Sequence, residues 1–490
     1  MKDIYDVAII GAGVIGAAIA RRLAAYRLDI VLLEKECDVS FGVSKANSGI
    51  IHAGFHHSAF TLKAQLEIRG NRMFDQLKRE LHFPFRRCGI LVAAMSTEEM
   101  KTVEFLYAQG VENQVIGIEL CNRQRLLDLE PKLNPDIVGG LHAPSGGIIE
   151  PYLFAFSLVE SAVKNGVHLR TYFEVDRAEC ESEYYQIWSG EESIRSRYVV
   201  NAAGLFADTI SKLFQAEDFE ITPRKGEEYL MDREAAAFPR RVIFPVPTNV
   251  SKGMLVIPTV EGTTMVGPTA DEVEDKLDVF TTEDNFAKVF YSARRLIPAV
   301  SERDIITSFA GLRPTLPGND FFISVSASAP HFVQAAGIQS PGLTASPAIA
   351  DYVKDLLKKD GLVLEEDPAY EPWIEDVPRL RELSDEDAEK LIAADSGYGD
   401  IICRCEKVSK AEIVAAVRRG HHSLDGIKFY TRAQMGRCQG GFCTFRILKI
   451  ISDETGLPIE EITKRGGGSY LVRRKIGEGR AGAAAGAAHE

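Results

Sequence analysis

No stretch of the 490-residue sequence approaches the roughly 18 consecutive apolar residues of a membrane-spanning helix, and the N-terminus enters a strand pattern directly, with no basic-then-apolar leader. An excess of positive charge is missing as well. The sequence has 57 basic residues against 70 acidic ones, a net charge of −13, so affinity for nucleic acid, which comes from neutralising phosphates, is not expected. There is no internal repeat at the periods of roughly 20 to 50 residues that mark solenoids. Collagen-like, coiled-coil and disordered classes are excluded by a composition of 45% hydrophobic and 26% charged residues. The expectation is a cytoplasmic protein, at most peripheral at the inner face of the membrane through a partner. Its length suggests two or three domains at about 150 residues each.

Charge and cysteine are unevenly spread. Residues 403–475 hold 15 Lys and Arg against 7 Asp and Glu, a local excess of +8 in an acidic chain. Cys37, Cys88, Cys121 and Cys180 are scattered, as reduced and partly buried thiols would be, whereas Cys403, Cys405, Cys438 and Cys443 cluster.

The first apolar run, 5–10 (YDVAII), leads straight into Gly11-Ala12-Gly13-Val14-Ile15-Gly16. Ile15, Ala18, Ile19 and Leu23 then repeat at helical spacing, and a second apolar run, 29–33, ends at Glu34 and Lys35. This strand, glycine turn, helix, strand and acid form one βαβ unit of the kind that binds a dinucleotide. Gly11 permits the tight turn, Gly13 lets the backbone approach a pyrophosphate, and Gly16 lets helix pack on strand. A carboxylate at Glu34 accepts from a ribose diol. The motif does not separate FAD from NAD. The stretch 40–54 (SFGVSKANSGIIHAG) does, because Ser44, Asn47 and Ser48 lie among small residues where a longer dinucleotide needs polar partners for its second half.

Further on, 151–165 reads as a helix, 168–178 and 185–189 as strands, and 198–201 as a strand running into Ala202-Ala203-Gly204 and a helix over 205–214. Between 223 and 268 short β-rich runs broken by Pro and Gly predict an antiparallel sheet. A parallel pattern returns at 331–335, followed by a helix over about 343–358. The expected architecture is an α/β Rossmann-like nucleotide domain made of 1–80, 145–215 and 305–360. A substrate domain of 81–144 and 216–304 is threaded through it. After these come a linker over 361–397 with a short helix capped by Ser384, a small helical domain over 398–475, and a low-complexity tail over 476–490.

These motifs resemble the FAD-dependent family that contains D-amino-acid oxidases, glycine and sarcosine oxidases, glycerol-3-phosphate dehydrogenases and L-2-hydroxyglutarate dehydrogenases. Within it, NSGIIHAG followed by Leu62-Lys63-Ala64, 83–93 (FPFRRCGILVA) and Arg224-Lys225-Gly226-Glu227 are most similar to the L-2-hydroxyglutarate branch. The resemblance spans about residues 3–360. It implies that Val175 lies near the adenine, that Ala203 and Gly204 lie near the ribose and pyrophosphate, and that 337–344, with Gly337, Gly342, Leu343 and Thr344, borders the pyrimidine side of the flavin. It also makes His52 a candidate base, with a structural or flavin-polarising histidine as the alternative. The GLRP arginine, Arg313, becomes the partner of a substrate carboxylate or phosphate, against the alternative of a salt bridge. Lys225 is a second candidate for the anion, while His56 and His57 either line the pocket or face water. Glycerol-3-phosphate dehydrogenases usually carry an arginine shortly after the motif histidine. This chain has Phe55-His56-His57 there, which favours a hydroxy acid over a phosphate.

Cys403-x-Cys405, with Cys438-x4-Cys443 following, is the most specific metal signal in the chain. Four thiolates suit zinc or an iron–sulfur centre, and C-x-C is less usual for structural zinc. The spacing resembles the bacterioferritin-associated-ferredoxin-like domain, which implies a 2Fe-2S cluster. Arg404 and Arg437, beside ligand cysteines, would offset its negative charge, although a solvated basic face or a docking surface accounts for the local +8 equally well. Taken together, the expectation is an FAD-dependent dehydrogenase. It would oxidise a small anionic alcohol, such as L-2-hydroxyglutarate or glycerol 3-phosphate, and pass electrons through the cluster to a partner subunit or quinone. An amino-acid or opine dehydrogenase and a non-catalytic electron-transfer subunit are the alternatives.

Overall fold

The computed structural model describes residues 4–247 and 252–474. The chain forms two compact units, Met1–Asp376 and Val377–Glu490.

In the first unit, β1 (Tyr5–Ile10), α1 (Val14–Leu23) and β2 (Ile30–Leu33) realise the expected βαβ order. β1 is flanked by two parallel neighbours, β2 and the strand Glu192–Asn201, with Val7 opposite Ile30 and Tyr198. Strands buried on both sides are almost wholly apolar, as 5–10 and 30–33 are. Phe332–Ala336 adds to the other side of Glu192–Asn201, and His168–Arg170 adds to β2, both parallel. The helix expected over 205–214 divides into a 3-10 turn, Gly204–Phe206, and a helix, Ala207–Leu213.

A second sheet of nine strands carries the opposite wall of the unit. Its long pair, Thr222–Met231 with Ile305–Thr315, is antiparallel and sets Arg224 opposite Arg313. Ile305–Thr315 thus sits in this sheet, although its position in the sequence suggested the nucleotide domain. The sheet is not antiparallel throughout, because Val242–Pro245 runs parallel to Ile90–Ala94. Its core is packed by Val256, Val266, Val289 and Phe290.

The stretch expected as a linker divides between the units. Residues up to 376 lie along the first unit: Glu365 pairs with Arg27 at 2.6 Å, and Ile374 donates its backbone N–H to the Glu80 carbonyl. Residues from 377 belong to the second unit, including the Ser384-capped helix Asp385–Ala394. That unit is built on a hairpin, Ile401–Cys403 with Val408–Ser409, and on helices Lys410–Arg418, Leu424–Thr431 and Thr444–Thr455. Ser409 and Glu412 close a full capping box at the first of these helices. The tail over 476–490 lies outside the described residues. Among those described, no helix is long and apolar enough to cross a membrane.

Candidate active site and iron–sulfur centre

A cavity of about 800 Å³ runs through the first unit, with Gly11, Gly13, Glu34, Lys35, Ser44, Val175, Ala203 and Gly204 among the residues at one part of its wall. Gly11 has φ +104°, and a Cβ there would lie 2.5 Å from the Ala202 carbonyl oxygen. At Gly16 a Cβ would come within 1.9 Å of the Gly11 carbonyl oxygen, so this glycine is needed for helix–strand packing. Accordingly it does not line the cavity. Glu34 is buried. Its carboxylate accepts from the Ala12 and Glu36 N–H groups at 2.9 and 3.0 Å, and burial raises its pKa despite those bonds. Ser44 accepts from the Val14 N–H at the start of α1 at 2.9 Å, so it braces the glycine turn.

Asn47 and Ser48 continue the lining toward the second sheet. Ser48 donates to Glu228, a buried carboxyl whose pKa burial pushes up to about 7 against the opposing influence of Ser48 and Arg313. Arg313 lines the cavity and donates to the Thr269 carbonyl. It fits there because residue 226 is glycine; a Cβ at that position would lie 2.6 Å from the Arg313 Nη2.

The strand Thr222–Met231 decides where its candidate cation, Lys225, points. Side chains alternate across a strand, so Arg224, Gly226 and Glu228 face the cavity. Lys225 and Glu227 face the other way. The Lys225 amine is bound to Asp278 at 2.7 Å and does not line the cavity, which corrects the expectation that it binds substrate. Beside Arg313, Arg224 and Lys63, the cavity is also lined by Lys252, which carried no motif in the sequence. Its Nζ lies 3.4 Å from the Ser340 Oγ, and that oxygen lies 3.3 Å from the His52 Nε2. Only the tertiary fold brings 252, 340 and 52 together, so no local spacing could have pointed to Lys252.

His52 is buried. Its backbone N–H donates to the Thr344 Oγ1 at 2.9 Å, and Asn71 donates to its carbonyl at 2.7 Å. Thr344 therefore holds the histidine and does not itself face the cavity, whereas Gly342 and Leu343 do. Gly337, at φ +64°, shapes the turn before the helix Gly342–Lys359 without lining the cavity. The His52 Nδ1 has no hydrogen-bond partner. Burial first, then Lys252 and His57, hold its pKa well below the usual imidazole value, so the ring is neutral and keeps a lone pair for a proton. His56 and His57 also line the cavity, and burial likewise holds both rings neutral. Lys252 is lowered to about 8 by burial, with Glu67 opposing the shift and Arg313 adding to it.

In the second unit, Cys403, Cys405, Cys438 and Cys443 lie close enough to shift one another's thiol pKa values, Cys403 with Cys443 and Cys405 with Cys438 most directly. Cys403 and Cys443 are buried and Cys405 is exposed. Among the described residues, no three His, Cys, Asp or Glu side chains gather as a single metal ion would require. Four cysteines from two loops supply the thiolate set that a 2Fe-2S cluster would need.

The family model described as FAD dependent oxidoreductase matches residues 6–356. The chain belongs to this family. A second model, the BFD-like 2Fe-2S binding domain, matches residues 401–453. A glycerol 3-phosphate dehydrogenase of Caloramator mitchellensis is 42% identical over 470 residues, 96% of this chain and 98% of its own. A mitochondrial L-2-hydroxyglutarate dehydrogenase of Arabidopsis thaliana is 26% identical over 72% of this chain and 83% of its own. Among solved structures, the dithionite-reduced L-alpha-glycerophosphate oxidase of Mycoplasma pneumoniae, with FAD bound, aligns at TM-score 0.73 and 32% identity over 77% of this chain and 100% of its own. The protein is an FAD-dependent dehydrogenase that oxidises an alcohol, and its cofactors are FAD and a 2Fe-2S cluster. The glycine cradle at 11–16 and the four cysteines fit those two groups.

Proposed function

We propose that the protein oxidises the secondary alcohol of glycerol 3-phosphate and delivers the electrons through its 2Fe-2S cluster to a partner subunit or quinone-linked acceptor. The observation that carries the substrate is the pair of cations, Arg313 and Lys252, lining the same cavity as the neutral His52. A phosphate dianion calls for two positive partners, and Lys252 supplies from a distant segment the cation that Phe55-His56-His57 does not. The 42% identity to a glycerol 3-phosphate dehydrogenase along nearly the whole of both chains supports the same choice.

In this reading Arg313 and Lys252 hold the phosphate, and Arg313 is pre-aimed by its bond to the Thr269 carbonyl. His52 takes the hydroxyl proton on an imidazole nitrogen as the C–H hydrogen leaves with its electron pair. Ser340 stands between His52 and Lys252 and orients the ring. FAD held along the Gly11–Gly16 turn would supply the acceptor for that hydride, and the alcohol carbon would become a ketone. His56, His57 and Phe244 close the cavity around the reacting centre and keep water out of it.

Anaerobic mixing with a panel of anionic alcohols tests the substrate. Glycerol 3-phosphate should bleach the flavin absorbance at micromolar to millimolar concentration, as is typical of enzyme substrates. Bleaching by L-2-hydroxyglutarate in preference would replace the phosphate with a second carboxylate.

A further inference from the structure

Glu406 directly follows the ligand Cys405 and is 3% exposed. Its Oε2 accepts from the Arg381 Nη1 at 3.2 Å and from the Arg432 Nε at 3.1 Å. Both guanidinium side chains are themselves buried, at 8% and 7% exposure. Arg432 ends the helix Leu424–Thr431 with a left-handed φ of 68° and opens the loop that carries Cys438 and Cys443. Within that loop, a Cβ on Gly436 would lie 2.4 Å from the Cys405 Cβ and 3.0 Å from the Glu406 Oε1. The two cysteine loops are therefore pressed together where the triad sits.

Arg381 belongs to the turn Leu380–Glu382, ahead of the span 401–453 that matches the 2Fe-2S family. The segment behind it is tied into the same unit: Asp400 pairs with Arg446 at 2.6 Å and accepts from the Lys410 N–H at 2.8 Å. Three charged side chains in a dry place need a reason, because apolar residues of similar volume commonly stabilise such a site as well or better. The triad sets the Glu406 carboxylate beside a ligand cysteine and offsets it with two guanidinium groups, one of which, Arg381, also lies 3.9 Å from the Glu382 carboxylate. Reduction adds an electron to a cluster already made negative by its thiolates; a bare neighbouring carboxylate opposes that step, and guanidinium groups that offset the carboxylate relieve the opposition.

We propose that Arg381, Glu406 and Arg432 form a positioning clamp that joins the two cysteine loops and in which the two arginines hold the reduction potential above the value that the Glu406 carboxylate alone would set, with the upstream segment from Val377 serving as part of the iron–sulfur unit. Potentiometric titration of the full-length holoprotein, followed by the electron paramagnetic resonance of the reduced cluster and by iron content, tests this directly. Glu406→Gln, which keeps the shape and removes the anion, should shift the midpoint upward. Arg381→Met and Arg432→Met should shift it downward, while Arg381→Lys and Arg432→Lys should stay near wild type. If Glu406→Gln sheds its iron, the two methionine variants decide by the direction of their shift. Unchanged or same-direction midpoints across the glutamine and methionine variants would overturn the proposal. So would equal loss of iron from all five variants, since that outcome describes packing alone.

Discussion

In the proposed mechanism His52 is the base, and burial keeps its ring neutral. An exposed imidazole would titrate near pH 6.5, but here desolvation, Lys252 and His57 keep the ring neutral well below that pH. At saturating substrate, the rate of flavin reduction should therefore show no fall as pH drops through the usual imidazole range, as stopped-flow absorbance would record. Replacing the ring in His52→Ala should slow flavin reduction by on the order of 10²-fold while FAD remains bound. A rate equal to wild type would assign the proton to another group. Lys252 works in the opposite sense. Its pKa is lowered to about 8, so the cation is present below that pH and lost above it. Substrate affinity should consequently weaken on the alkaline side, by about tenfold per pH unit once the amine is neutral. Lys252→Met should abolish that alkaline limb and raise KM over the whole range. Glu67, buried on the helix Leu62–Leu81, opposes the fall in the Lys252 pKa, so Glu67→Gln should move the limb to lower pH.

Two elements make the site possible, and each has a test of its own. The glycine turn between β1 and α1 tolerates no side chain at Gly16, because the added carbon would meet backbone. Gly16→Ala should cost FAD occupancy, measured as the flavin-to-protein absorbance ratio, before it affects anything at His52. The strand Thr222–Met231 sorts its residues by parity. Arg224, Gly226 and Glu228 turn to the cavity, while Lys225 turns to Asp278. Lys225→Met should therefore lower thermal stability by removing the partner of Asp278, by less than a fully buried pair would cost because the Asp278 side chain is 29% exposed. It should leave KM for glycerol 3-phosphate nearly unchanged. Arg313→Lys, at its clearance over Gly226, should raise KM sharply, because an ammonium cannot reproduce the two-pronged grip of a guanidinium.

For the whole molecule, the two-unit organisation divides the chemistry into flavin reduction in Met1–Asp376 and cluster redox in Val377–Glu490. Anaerobically purified protein should contain about two irons per chain. Cys443→Ser should remove the cluster signal and leave substrate bleaching of the flavin intact, while transfer to an external acceptor falls away. If the acceptor were reduced at the wild-type rate in that variant, the cluster would not lie on the electron route.

Local patterns in the chain determined the βαβ unit, the glycine turn with Glu34, the cysteine spacing and the helix caps at Ser384 and Ser409. Each rests on contacts between residues close in sequence, or on spacings set by the period of one helix or strand. Tertiary structure alone added Lys252 to the cavity that His52 and Arg313 line. Arg313, Lys252 and Ser340 come to His52 from separate segments, and the alternation along Thr222–Met231 makes Arg224 a wall residue and Lys225 a buried ion-pair partner. The clamp of Arg381, Glu406 and Arg432 is of the same kind. Burial of charge depends on which surfaces meet when the chain closes, and neither composition nor periodicity carries that information.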